Sequence, residues 1–142
     1  MLANVNYNRA ARRYEVANGD QTLTFPAGVD GRREAFQTAV QMENPALHGL
    51  ASQMASDHPQ LASRIWRAVE IALTSGVTLQ DDGTGLVASQ SSEYGDYTVQ
   101  MVDGLMACDC EDFQGATAVY MQDGEQPYCK HILAYQFALV AA

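Results

Sequence analysis

Every cysteine of this chain, and one of its three histidines, falls in two short pairs. Cys108 and Cys110 make the first pair and Cys129 and His131 the second, with eighteen residues between them. Cysteines separated by a single residue cannot usefully staple each other, but they can share a cation. Zinc takes four soft or borderline ligands at tetrahedral corners, and three cysteines with one histidine are a common structural set. A turn supplies two corners when its ligands lie a few residues apart, and the long histidine side chain corrects the direction of the second pair. Bound metal would depress the thiol pKa values until all three sulfurs bind as thiolates. A helix starting near Cys129 would favour that charge through its unpaired N–H groups. The alternative is three buried free thiols and a surface histidine, which would not need this paired arrangement. A redox role fits less well, because thioredoxin-like pairs are spaced CxxC. The spacing therefore predicts one structural Zn2+ per chain.

The elements that must carry these pairs are legible in the hydrophobic period. "RYEV" and "TLTF" flank Asn18-Gly19-Asp20 and predict a small hairpin. A helical period then runs from about residue 31 to 74. Ala35, Phe36, Ala39 and Val40 stripe a first helix. Asn44 caps a second, with Pro45 in its first turn and Leu47, Leu50, Ala51 and Met54 as its face. Asp57 is the expected cap of a third, with Gln60 in capping-box position and Leu61, Ile65, Val69 and Ala72 or Leu73 inward. Trp66 lies on its edge, and Gly76 ends it. Beyond Gly76 the period falls to two. "VTLQ", "TGLVAS", "YTVQMV" and "LMAC" read as four strands of an antiparallel meander, turned at 81–83 and 103–104 and joined by "QSSEYGD". A last helix from Lys130 to Val140 would bury Ile132, Leu133, Phe137 and Val140. The expected class is α+β: an N-terminal helical part packed on a small meander with a zinc-anchored C-terminal helix.

The second half resembles the SWIM zinc finger, whose pattern is CxC, a variable spacer, and CxH. The resemblance runs through Tyr97, Val99, Cys108, Cys110, Asp112 and Phe113, then Cys129, His131, Ile132 and Ala134, and covers roughly residues 66–142. It implies a zinc-binding module at 76–142, ligated by Cys108, Cys110, Cys129 and His131. The region 1–75, mainly helical after its hairpin, matches no family. SWIM domains are associated with DNA binding and with protein–protein contacts. They occur in transposases, helicase-like ATPases, ubiquitin-ligase-related proteins and partners of recombinase-like ATPases. Here the first pair sits in acidic "ACDCEDFQ" and the spacer lacks basic residues, which points away from nucleic acid.

Neighbouring residues carry two readings each. Asp112 either accepts a bond from a metal-bound residue or caps a helix. Lys130, between two ligands, either offsets the charge of a thiolate-rich site or is plainly solvated. Arg12, Arg13, Arg32 and Arg33 either meet phosphate or an acidic partner, or are surface. His48, off its helical stripe, and His58, at a helix start, read as surface or capping residues.

The 142 residues carry a formal net charge of −9. Residues 76–142 hold ten carboxylates and a single basic residue, Lys130, so that half repels a phosphate backbone. No apolar run approaches the ~20 residues of a membrane span, and the start lacks a signal peptide, so a cytoplasmic location is expected. Four ligands close the zinc shell, whereas catalytic zinc keeps a position open. HExxH, GxxxxGK[ST], GxSxG and the deaminase arrangement are all absent. The chain is expected not to be an enzyme. It reads as a zinc-stabilised adaptor for a larger protein, such as an ATPase of nucleic-acid metabolism. The small side chains of "ALHGLASQMAS" would let a partner helix approach. The competing expectation is a direct DNA binder acting in recombination, transposition or regulation.

Overall fold

The computed structural model describes residues 2, 4–74, 76–88, 95–114, 119–120 and 127–141. They form an α+β architecture in two compact units, Met1–Gln53 and Met54–Ala142.

In the first unit, strands β1 (Val5–Asn8), β2 (Arg13–Asn18) and β3 (Gln21–Pro26) form an antiparallel sheet in that order. The expected hairpin is β2–β3, and β1 is an addition. Two of its four residues are asparagine, a poor strand former, so its sequence carries little signal. Pairing supplies what propensity lacks: Val5 lies opposite Val16, which is fully buried and also faces Leu23. The β1–β2 turn is set by Asn8, whose Oδ1 accepts the Ala11 N–H at 3.0 Å, and by a left-handed Arg12 at φ 53°. Helix α1 (Val29–Glu43) lays Ala35, Ala39 and Val40 on the sheet. Its first turn presses on the end of β3, where a Cβ on Gly31 would overlap the Pro26 carbonyl. Helix α2 (Pro45–Asp57) is capped as expected by Asn44, whose Oδ1 accepts the Leu47 N–H at 3.0 Å. It buries Leu47 and Ala51 and leaves Leu50 exposed.

Two expectations fail at the next junction. Helix α2 runs through Asp57, and a 3-10 turn at Pro59–Leu61 precedes α3 (Ala62–Leu73). Asp57 therefore ends one helix and does not cap the next. Proline at 59 lacks the N–H that a continuous helix needs, so the chain tightens there before restarting. The inward face of α3 is also wider than a single stripe, with Ile65, Ala68, Val69 and Ile71 all buried. Gly76 closes it, donating its N–H to the Ile71 carbonyl at 3.0 Å.

The meander of the second unit is β4 (Val77–Leu79), β5 (Gly85–Ala88), β6 (Asp96–Val102) and β7 (Leu105–Cys108), antiparallel and in sequence order. Most of the "QSSEYGD" connection lies outside the described residues. After β7 come a single turn, α4 (Glu111–Gln114), a two-stranded pairing of β8 (Val119–Tyr120) with β9 (Pro127–Tyr128), and α5 (Lys130–Ala141). None of the described helices is long and apolar enough to cross a membrane.

Helix α5 is the centre of this unit. It packs against α3 and contacts all four meander strands, and residues 131–135 are buried in succession. A helix buried on every side needs apolar residues around its whole circumference, as "HILAYQFAL" nearly provides. Because α3 covers one side of α5, it belongs with the meander and not with α1. The exception is the end: Leu139 and Val140 are each 50% exposed, so Val140 is not the core residue its spacing suggests. The helix outruns the sheet that covers it. Tyr135 fastens α5 to the β4–β5 hairpin, its hydroxyl donating to the Gly83 carbonyl at 2.7 Å. Its ring lies where a side chain on residue 85 would be, so only glycine fits there.

This contact is testable by denaturant unfolding. Tyr135→Phe should cost about 1 kcal/mol, the net worth of one hydrogen bond. Gly85→Ala should cost more, about 2–3 kcal/mol, because the buried ring must be displaced.

Candidate metal centre

Hairpin geometry brings the first pair into place. Asp103 and Gly104 both take positive φ, 52° and 83°, the two-residue turn that suits the twist of flanking strands. The resulting register sets Cys108 opposite the fully buried Val99. One residue later the exposed Asp109 extends the pairing with its side chain: Oδ1 accepts the Thr98 N–H at 2.8 Å, and its own N–H reaches the Thr98 carbonyl at 3.3 Å. That clamp fixes the residue between the two thiols. The chain then turns into α4, and the Phe113 N–H donates to Cys110 Sγ at 3.4 Å.

The second pair repeats the device. Cys129 immediately precedes α5, its carbonyl accepting the Leu133 N–H at 3.2 Å. Its sulfur receives a backbone hydrogen bond from Ile132. In both pairs, then, a cysteine sulfur occupies the capping position of a helix start and takes an N–H three residues on. His131 follows in the first turn of α5, and Tyr97 of β6 lies over its ring, centroids 4.5 Å apart and tilted by 37°.

Cys108, Cys110, Cys129 and His131 are all buried, and their ligand atoms lie within 4.8 Å of one another. Cys129 Sγ and His131 Nδ1 are 3.9 Å apart. For zinc bonds of the usual lengths, the edges of the tetrahedron are roughly 3.6–3.8 Å. The four atoms thus cluster closely enough to converge on one ion with a small adjustment. The cysteines are free thiols. No other group of this kind occurs among the described residues.

The four groups also interact electrostatically. Hydrogen bonding to Cys110 and Cys129, then burial, pushes the Cys108 thiol up. Cys110 is held down as a thiolate by the hydrogen bonds of Cys108 and Cys129, with His131 and the Phe113 N–H adding to them. Cys129 is drawn down by Cys108 but more strongly raised by Cys110 and burial, to about 11. His131 turns Nδ1 toward Cys129, while its Nε2 is buried without a hydrogen-bond partner among the described residues. The donor set fits a structural metal ion. Bound there, zinc would join the two pairs across the spacer.

The other candidates fall elsewhere. The Asp112 side chain lies outside the described residues. Lys130 is half-buried at the start of α5, between the two ligands of the second pair. Arg12 and Arg13 sit at the β1–β2 turn, Arg13 paired with Glu15 at 2.9 Å. Arg32 and Arg33 lie in the early turns of α1, Arg33 loosely facing Asp30 at 3.7 Å. His48 lies on α2 and His58 just before the 3-10 turn, and neither joins the cluster. Sequence reasoning overlooked Asp109 and assigned Tyr97 no role at the site. Only the pairing of β6 with β7 reveals the first, and only the seating of α5 reveals the second.

Comparison with family models, with curated proteins and with solved structures finds no match to this chain.

Elemental analysis of protein purified without added metal should find one zinc per chain, and Cys110→Ser should abolish it. Zinc affinity should fall as pH is lowered, because the protons of Cys108 and Cys129 must leave for the metal to bind. Asp109→Ala should weaken zinc binding by roughly tenfold, the lower end of what lost supporting contacts cost a metal site. Competition against a chromogenic chelator reads both effects.

Proposed function

We propose that the chain is a non-enzymatic adaptor whose zinc-organised second unit docks on a protein partner, in the manner of SWIM-type modules. Four donors close the shell around the ion, leaving no position for water or substrate, so the metal's role is structural. Zinc is the metal best suited to three thiols and an imidazole.

The observation that carries the docking reading is an apolar surface at the outer end of this unit. Strand β6 extends beyond β5, which pairs only with residues 96–99, so 100–102 and 105–107 form a projecting two-stranded ribbon. Met101 at its tip is 60% exposed and pairs with Met106, whose sulfur touches Gln136 of α5. Leu139 and Val140 lie one turn further along that helix and are half exposed. Methionine at an exposed apolar surface adapts to a partner's shape. The carboxylates of the unit, Asp103 of the ribbon among them, suit a partner with basic residues around an apolar centre. Such a partner fits a component of a nucleic-acid-processing complex, and the cytoplasm is where it would be met.

Two measurements test this reading. Hydrogen exchange, followed by segment before and after chelation, should rise most in 105–114 and 128–141. The increase should be smaller in α3 and least in residues 4–43. Exchange that ignores the chelator would mean that no structural metal is present. Met101→Glu with Val140→Glu should abolish capture of a co-purifying protein while zinc content stays at one per chain. Unchanged capture by that variant would rule out this surface.

A further inference from the structure

The first unit holds an arrangement that the metal centre does not use. It contains five arginines and five carboxylates, whereas the second unit carries the whole net charge of −9, with twelve carboxylates against Arg64, Arg67 and Lys130. Neutral in sum, the first unit is polarised. Arg9 and Arg12 lie in the β1–β2 turn and Arg13 opens β2. Arg13 pairs with Pro26 at the end of β3, and Gly31 of α1 packs on that same Pro26. Arg32 and Arg33 follow at once on α1. Arginines some twenty residues apart in sequence are therefore gathered at one end of the sheet.

The carboxylates are spread differently. Asp20 lies in the β2–β3 turn, at the opposite end of the sheet, and Glu43 is the last residue of α1, about three turns of helix beyond Arg32 and Arg33 near its start. Of those near the arginines, Glu15 is engaged by Arg13 and also accepts from Asn8. Asp30 faces Arg33 loosely at 3.7 Å, and Glu34 follows Arg33 on α1. Arg9 and Arg12 are exposed and make no ion pair with a described residue. The start of α1 adds the positive end of a helix to the same region.

An aromatic pair sits directly below the turn. Tyr7 and Tyr14 are cross-strand partners with ring centroids 4.8 Å apart, and Tyr7 is 38% exposed. Guanidinium groups beside an accessible aromatic ring suit a flexible polyanion with flat, stackable groups. Phosphates meet the arginines and an unpaired base meets the ring.

We infer that this end of the first unit binds single-stranded nucleic acid, through Arg9 and Arg12 at the turn, Arg32 and Arg33 on α1, and stacking on Tyr7. Arg13, on the opposite face of β2 from Tyr14 and paired with Glu15, is not part of the contact. The inference is independent of the adaptor reading, because it uses no residue of the second unit. The negative charge carried by the second unit does not by itself forbid it. At physiological ionic strength, exposed charges more than roughly 8 Å away are largely screened. The contact is local, and the acidic unit would keep the rest of the chain off the strand.

The test uses the full zinc-loaded chain and a labelled oligothymidylate, with a duplex of equal length and polyglutamate as comparison probes. Fluorescence anisotropy should show binding at low ionic strength that weakens steeply with salt. Arg9→Gln with Arg12→Asn removes two charges, and asparagine tolerates the left-handed backbone at position 12. This variant should bind about tenfold or more weakly, with a salt slope shallower by about 1.4. Tyr7→Leu should lose about fivefold on the single strand, and Tyr7→Phe should retain binding. Unchanged circular dichroism would show the variants to be folded. Absence of binding at low salt, affinity indifferent to the arginine changes, preference for the duplex, or equal binding of polyglutamate would each overturn the inference.

Discussion

Three sulfurs and an imidazole are buried together where the end of β7 meets the start of α5, a donor set able to hold a metal ion. The other features of the second unit are disposed around that constraint. Without an ion, the hydrogen bonds of Cys108 and Cys129 hold the Cys110 thiol down, while contact with its neighbours and burial push Cys108 up. With an ion all three ionise, and their charge is met by backbone N–H groups already aimed at Cys110 and Cys129. The helix starts are thus part of the site. A capping serine or aspartate would satisfy the same N–H groups, but it could not also hold a soft metal.

Helix α5 transmits this constraint through the unit. Its first residues are tied to the meander at the cluster. Tyr135, one turn on, is tied to the β4–β5 hairpin through Gly83 and Gly85. Its far side is covered by α3. Burial alone would not fix the helix in rotation, because a sequence apolar all round has no preferred face. Directional contacts at both the cluster and Tyr135 fix it. The Tyr97 ring over His131 adds a third contact from β6, close to the ligand whose orientation matters most.

What the sequence made legible follows the range of the interactions involved. The ligand set was readable because each pair is local, and so were the meander turns and the Asn44 cap. Asp57 misled because its capping pattern ignores Pro59, which tightened the chain before the helix could begin. Val140 misled because periodicity reports a face and says nothing about where its cover ends. Asp109 and Tyr97 depend on strand register, and the Tyr135–Gly85 fit joins positions fifty residues apart. No local pattern encodes these. The two-asparagine strand β1 is the same case, since its pairing decides what its composition does not.

Charge segregation suggests how the two units divide their work. The second unit carries every unit of the net charge, and its apolar surface lies on the ribbon and the end of α5. The first unit is neutral and separates its charges along one sheet. Three thiolates on a divalent ion would sum to a single negative charge, so a metal bound there would leave the second unit acidic and unfavourable to phosphate. On the reading proposed above, a protein partner and a polyanion would call on different residues, the first on the ribbon and the end of α5, the second on the arginines of the β1–β2 turn and α1.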